Sequence, residues 1–216
     1  MLMFAALFLP EPEEPAHGAS GKAIRAYLES NQSGIGLYVL GGTLTFLGMI
    51  VFVVALRSLM QQVDAGRFLT DLATAGGLLT AVWMWVAASV EMIPLVMADE
   101  DLKMSEYTND TLLTLDLFGR LSETLGDIST VPRGLMVLAV SLVALRTRFV
   151  PRWIGHVGLL VSAASLVSVA GVGWQTAALS TAWFVGLFGF FLWALMIGVT
   201  FIVQGVRGSR RASVEA

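Results

Sequence analysis

The sequence predicts an all-α polytopic transmembrane helix bundle. It has five complete spans, six if the N-terminal apolar segment is a clipped span, and one long kinked helix projecting outside. Three observations lead there. Of the 216 residues 56% are hydrophobic and 13% charged, and the mean hydropathy is +0.77. A soluble globule of this size carries about 25% charged residues. The apolar residues also fall in blocks long enough to cross a bilayer, which takes roughly 20 helical residues. Finally, those blocks do not alternate at every second residue, which argues against a β-barrel. The length 1–216 reads as a single membrane domain with no room for a second globular one.

Met1–Leu9 is apolar throughout, but nine helical residues span only about half of a ~30 Å hydrocarbon core. It lacks the positive start of a signal peptide, so it reads as an interfacial anchor or the end of a longer first span. Residues 10–33 form an outer leader, opening with the acidic EPEEP. Within it Ser20 is an N-cap for a short surface helix through Glu29, with Ile24, Tyr27 and Leu28 on one face. The first complete span is 34–56, where Gly34, Gly41 and Gly48 recur every seventh residue. Small residues at that spacing let helices approach closely, within the chain or between copies of it.

The second span, 72–98, carries Trp83, Trp85, Glu91 and Pro94, and an acidic loop follows it. Residues 108–145 are the long helix. Its first half is charged, Pro132 kinks it, and its second half is GLMVLAVSLVAL. The fourth span, 153–175, is crowded with Gly158, Ser162, Ser165, Ser168 and Gly171, and the fifth is 181–204. Residues 205–216 are a cytoplasmic tail, basic at first and then expected to be disordered.

Lysine and arginine placement sets the orientation. Arg57 and Arg67 fall in one loop, Arg146, Arg148 and Arg152 in the next on that side, and Arg207, Arg210 and Arg211 in the tail. These segments alternate consistently and are expected to be cytoplasmic. The opposite side holds EPEEP and Asp99–Glu100–Asp101 and is acidic. The expected location is the inner (plasma) membrane, multi-pass, with the C-terminus in the cytoplasm. Trp153, Trp174 and Trp183 fall near the expected interfaces.

Three stretches together carry a likeness: GKAIRAYLES before the Gly-rich span, the long helix ending LVALRT, and RFVPRWIGHVGLL opening the fourth span. With them the chain resembles an uncharacterised family of bacterial membrane proteins of about this size with six predicted spans. The likeness covers most of the chain after Ser20. Members usually begin with a full first span, which this sequence lacks. The family implies no activity and no catalytic residues.

Among residues that could carry chemistry, Glu91 comes first. By helical spacing it shares a small face with Gly77, Thr80, Ala81, Met84, Ala87 and Ala88. A carboxylate there is expected to point into the bundle, since lipid exposure is costly. Arg133 lies at comparable depth on the next span, after Pro132, which frees the carbonyl of Ile128. Glu91 and Arg133 are expected to pair, and Asp127 is counted with them as a candidate polar site. That site is either a structural ion pair fixing helix register or an outward-facing cavity for an ion, proton or small solute.

Asp116, Arg120 and Glu123 form an outer charged stripe with Asn109 and Asp127, beside a leucine stripe of Leu113, Leu117, Leu121 and Leu125. Its i,i+4 and i,i+3 pairs contribute a few tenths of a kcal/mol each at a wet surface. The stripe is expected to be a solvated face, with a cation vestibule or docking surface as the alternative.

Several classes are excluded. With no cysteine there is no disulfide, thiolate metal site or thiol nucleophile. The two histidines, His17 and His156, are not paired within spans, which removes a bis-histidine haem, and no HExxH occurs. The lysines, Lys22 and Lys103, lie outside the spans, so a retinal Schiff base is excluded. The serines of the fourth span lack a base at their depth and read as helix-packing residues. There is no calcium-loop, Walker or dinucleotide pattern. The expectation is therefore no catalytic residue, no cofactor, no metal and no nucleic acid. The protein is expected to be a non-enzymatic membrane component: a sensor, an assembly partner or a lipid-associated factor. Its partners are the bilayer and a second copy or another membrane protein. The alternative is a small-solute or ion permease using Glu91 and Arg133.

Overall fold

In the computed structural model, residues 20–91, 93, 108–172 and 176–212 are described. Six α-helices and one 3-10 turn carry them, and among them there is no strand. The helices are α1 (Gly21–Gln62), α2 (Arg67–Glu91), α3 (Asn109–Ile128), α4 (Thr130–Thr147), α5 (Arg152–Ser168, continued by the turn Val169–Val172) and α6 (Ala177–Ala212). Among the described residues five runs are long and apolar enough to cross a bilayer: Leu40–Gln62, Arg67–Val90, Asn109–Thr147, Arg152–Gly171 and Ala177–Val203. The protein is an all-α polytopic membrane bundle. Met1–Leu9, EPEEP, His17, Pro94, Asp99–Glu100–Asp101 and Trp174 lie outside the described residues.

One difference from the sequence reading stands out in α1. A short surface helix and a separate span were expected, but one helix of 42 residues runs through both. Ser20 caps it, accepting the N–H of Ala23 at 3.4 Å. No proline interrupts residues 21–62, so the polar SNQSGIG stretch continues the backbone ladder. At 1.5 Å per residue the helix is about 63 Å long, roughly twice the hydrocarbon thickness.

The α1–α2 turn closes by a Schellman pattern. Ala65 N–H donates to the Met60 carbonyl at 3.1 Å and Asp64 N–H to that of Gln61 at 3.5 Å. Asp64 sits in the left-handed region at φ 50°, and Gly66 follows at φ 82°. The Gly66 carbonyl then accepts both the N–H (3.2 Å) and the hydroxyl (3.0 Å) of Thr70, fixing the first turn of α2.

The long segment expected to kink at Pro132 forms two helices, with Ser129, itself in the right-handed helical region, between α3 and α4. Pro132 is the third residue of α4, where its missing N–H is one the helix start leaves unpaired anyway. At the other end of the chain α6 remains helical to Ala212, through the basic part of the expected tail.

Contacts group the chain into two compact units. One holds α1 to Phe52 and Leu78–Ser129, and the other holds Val53–Gly77 and Thr130–Ala216. In the first, Ile24 and Leu112 are buried, Phe46 stacks on Trp85 at 5.5 Å, and Ser122 Oγ donates to the Ala87 carbonyl at 2.9 Å. In the second, α4 is the core helix, with eleven buried residues. The apolar window of its run is 67% buried against 28–39% for the other four. Those four show lipid-sized side chains outward, as helices in a bilayer do.

Candidate functional site

The second unit is held by small residues and hydroxyls. Ser162 Oγ on α5 donates to the Gly134 carbonyl of α4 at 2.8 Å, and Ser168 Oγ to Ser165 at 2.9 Å. Ser165 Oγ lies 3.5 Å from the Gly186 carbonyl of α6. All three serines are buried. Their hydroxyls act as donors between or along helices, which is the packing role the sequence assigned them. Deeper, α4, α5 and α6 meet at Gly158. A Cβ there would overlap Ser141 Oγ and lie 2.5 Å from the indole nitrogen of Trp193. Ser141 and Trp193 are both fully buried. Only glycine admits this approach.

Arg133 stands on α4 at 2% exposure. Its guanidinium carbon lies 5.9 Å from the centre of the Phe190 ring of α6, within cation–π reach. Glu91 is the last residue of α2, and its side chain lies outside the description. The face assigned to it is buried at Gly77, Thr80, Ala81, Ala87 and Ala88 and half-buried at Met84.

The outer stripe turns out differently from expectation. Asp116 and Arg120 pair at 2.9 Å, with side chains only 21% and 26% exposed, and Asp127 is also half-buried. Glu123 is exposed. The leucines beside them, Leu113, Leu117 and Leu121, are the exposed ones. So on α3 the charges divide, with Asp110 and Glu123 exposed and Asp116, Arg120 and Asp127 half-buried, while Leu112 is buried and one arc of leucines, Leu113, Leu117 and Leu121, is exposed. The exposed leucine arc suits an apolar neighbour, lipid or protein. Hydrophobic spacing shows that a helix has two faces, and it does not say which faces in.

A further polar feature lies at the α1–α2 turn, where no motif marked it. A cleft of about 360 Å³ is lined by Arg57, Gln61, Asp64, Arg67, Thr70 and Asp71, with Met60 among its apolar residues. Arg67 and Asp71, one turn apart on the exposed face of α2, pair at 3.5 Å.

Residues 2–198 match the family described as Domain of unknown function (DUF4386). The chain belongs to that family. The match takes in four of the five apolar runs of this DUF4386 protein whole, the fifth as far as residue 198, and both candidate polar regions. Neither the curated proteins nor the solved structures include a match to the chain. For this DUF4386 chain, site residues must therefore be read from its own geometry.

Proposed function

We propose that this protein is a non-enzymatic, lipid-associated component of the bacterial inner membrane, with its C-terminus in the cytoplasm. The supporting observation is the closeness of the α4–α5–α6 packing. At Gly158, and where Gly186 abuts the backbone of Ser165, a single methyl group would overlap a neighbour. Interdigitation this tight leaves no passage between those three helices. The outward leucines of α3 call for an apolar partner, either lipid, a second copy or another membrane protein. Orientation follows from Arg57, Arg67, Arg146, Arg148 and Arg152, which cluster at alternate ends of the spans.

The test is reconstitution into liposomes loaded with a pH dye or a potassium reporter. Ion flux at the protein-free rate is the expected result, and protein-dependent flux abolished by Arg133→Met would replace this reading.

That result would favour the second reading, a small-solute or ion permease using Glu91, Arg133 and Asp127. One observation speaks for it: Arg133 is a charged group almost wholly buried in an apolar helix. Such groups are costly in membranes and often mark solute pathways.

A further inference from the structure

We infer that the cleft at the α1–α2 turn is a binding site for a zwitterionic headgroup bearing a phosphodiester and a primary ammonium. The inference rests on the lipid-associated reading and names the lipid class.

Four observations carry it. The first is depth. The apolar runs Leu40–Gln62 and Arg67–Val90 end and begin at this turn, so the cleft lies where hydrocarbon gives way to headgroups. Phe68, 76% exposed beside it, has the placement of an interfacial anchor.

The second is shape. The cleft, about 360 Å³, is open on one side and large enough for a headgroup.

The third is charge. The lining carries two guanidinium groups and two carboxylates, of which Arg67 and Asp71 pair with each other at 3.5 Å, which leaves Arg57 and Asp64 to lead recognition. Arginine matches phosphate oxygens in a forked, two-bond geometry. The carboxylates accept N–H bonds from an ammonium, whereas a quaternary choline has none to donate. A lining with balanced charge also gives no advantage to an anionic headgroup.

The fourth is backbone strain. Asp64 occupies the left-handed region, which costs a non-glycine residue free energy. Glycine would meet the same turn without that cost, as Gly66 does two residues later. The Schellman cap imposes that conformation on whichever residue stands at position 64. Here it puts a carboxylate where the turn alone would favour glycine.

The experiment is native mass spectrometry of the full chain in mild detergent. The protein is titrated separately with phosphatidylethanolamine, phosphatidylglycerol and phosphatidylcholine of matched acyl chains, and with soluble glycerophosphoethanolamine. The wild type should retain phosphatidylethanolamine at least five-fold over the other two lipids. Arg57→Gln and Asp64→Gly should each reduce that preference to near parity. Because Asp64→Gly relieves the turn, its melting temperature should stay level or rise, which separates lost binding from lost folding. Lipid retention without binding of the soluble compound assigns the site to the bilayer. Equal binding of the soluble compound, lost in the same variants, assigns the same chemistry to a soluble phosphoester. Equal retention of all three lipids by the wild type, or unchanged preference in both variants, overturns the site. Either of those results with flux-free liposomes would leave the membrane-component reading standing, whereas flux would remove that reading first.

Discussion

Replacing Gly158 by alanine tests whether the core of the second unit is as tightly locked as its geometry indicates. The added methyl would overlap Ser141 Oγ and sit 2.5 Å from the Trp193 indole nitrogen. Both neighbours are fully buried, so neither can swing into free space. Overpacking of this kind costs about 1–3 kcal/mol. Alanine recovers about 0.5–1 kcal/mol in helix propensity over glycine. The net expectation is a loss of about 1–2 kcal/mol.

Gly198, on the same helix as Trp193, is the control. No atom lies within 4 Å of its added Cβ, so Gly198→Ala should be neutral or stabilising by up to about 1 kcal/mol. Ser141→Ala should be close to neutral, because the Ser141 hydroxyl is buried without a hydrogen-bond partner among the described residues. Combined with Gly158→Ala it removes the oxygen the new methyl strikes. The double variant should therefore be more stable than the sum of the singles by about 1 kcal/mol. Tryptophan fluorescence during reversible unfolding in mixed micelles would report all four. If Gly158→Ala matches Gly198→Ala, or the pair shows no coupling, the close approach of α4, α5 and α6 is wrong.

Three further outcomes follow from the same contacts. Ser122→Ala removes the hydroxyl donated to the Ala87 carbonyl and should cost about 0.6 kcal/mol, the usual size of such bonds in membranes, read by the same unfolding assay. In a Glu91→Gln, Arg133→Met cycle, coupling above about 0.5 kcal/mol in stability is expected if the two charges pair, and additivity would separate them. A reporter enzyme fused at Gly208 should be active in the cytoplasm only, and activity on the outer side would reverse the proposed orientation.

The class of fold was legible because the bilayer imposes a length and a hydropathy that few residues can disguise. The serines of α5 were legible for a related reason: without a base nearby, small hydroxyls on a span have packing to do, and Ser162 does it against Gly134. The continuity of α1 was not. Its SNQSGIG stretch looks like a boundary by composition, yet a helix is broken by a missing donor or a steric clash, and polarity supplies neither. Nor was the facing of α3. Its two stripes, Asp116–Arg120 and Leu113–Leu117–Leu121, are plain in the sequence, but the usual rule that charge faces out assumes water outside.

The contacts that matter most for the core lie furthest from any motif. Ser141, Gly158 and Trp193 come from three helices, and nothing in the spacing of any one of them foretells the other two. The α1–α2 turn sits between these extremes. Its arginines were visible as an orientation signal, but the left-handed aspartate was not. Read together they change the meaning of the loop: the arginines that carry the proposed orientation also line the cleft proposed to take a headgroup. In a chain with so few charged residues, orientation and ligand recognition then draw on the same side chains. Arg57→Gln should therefore be judged by lipid preference and by topology in the same preparation.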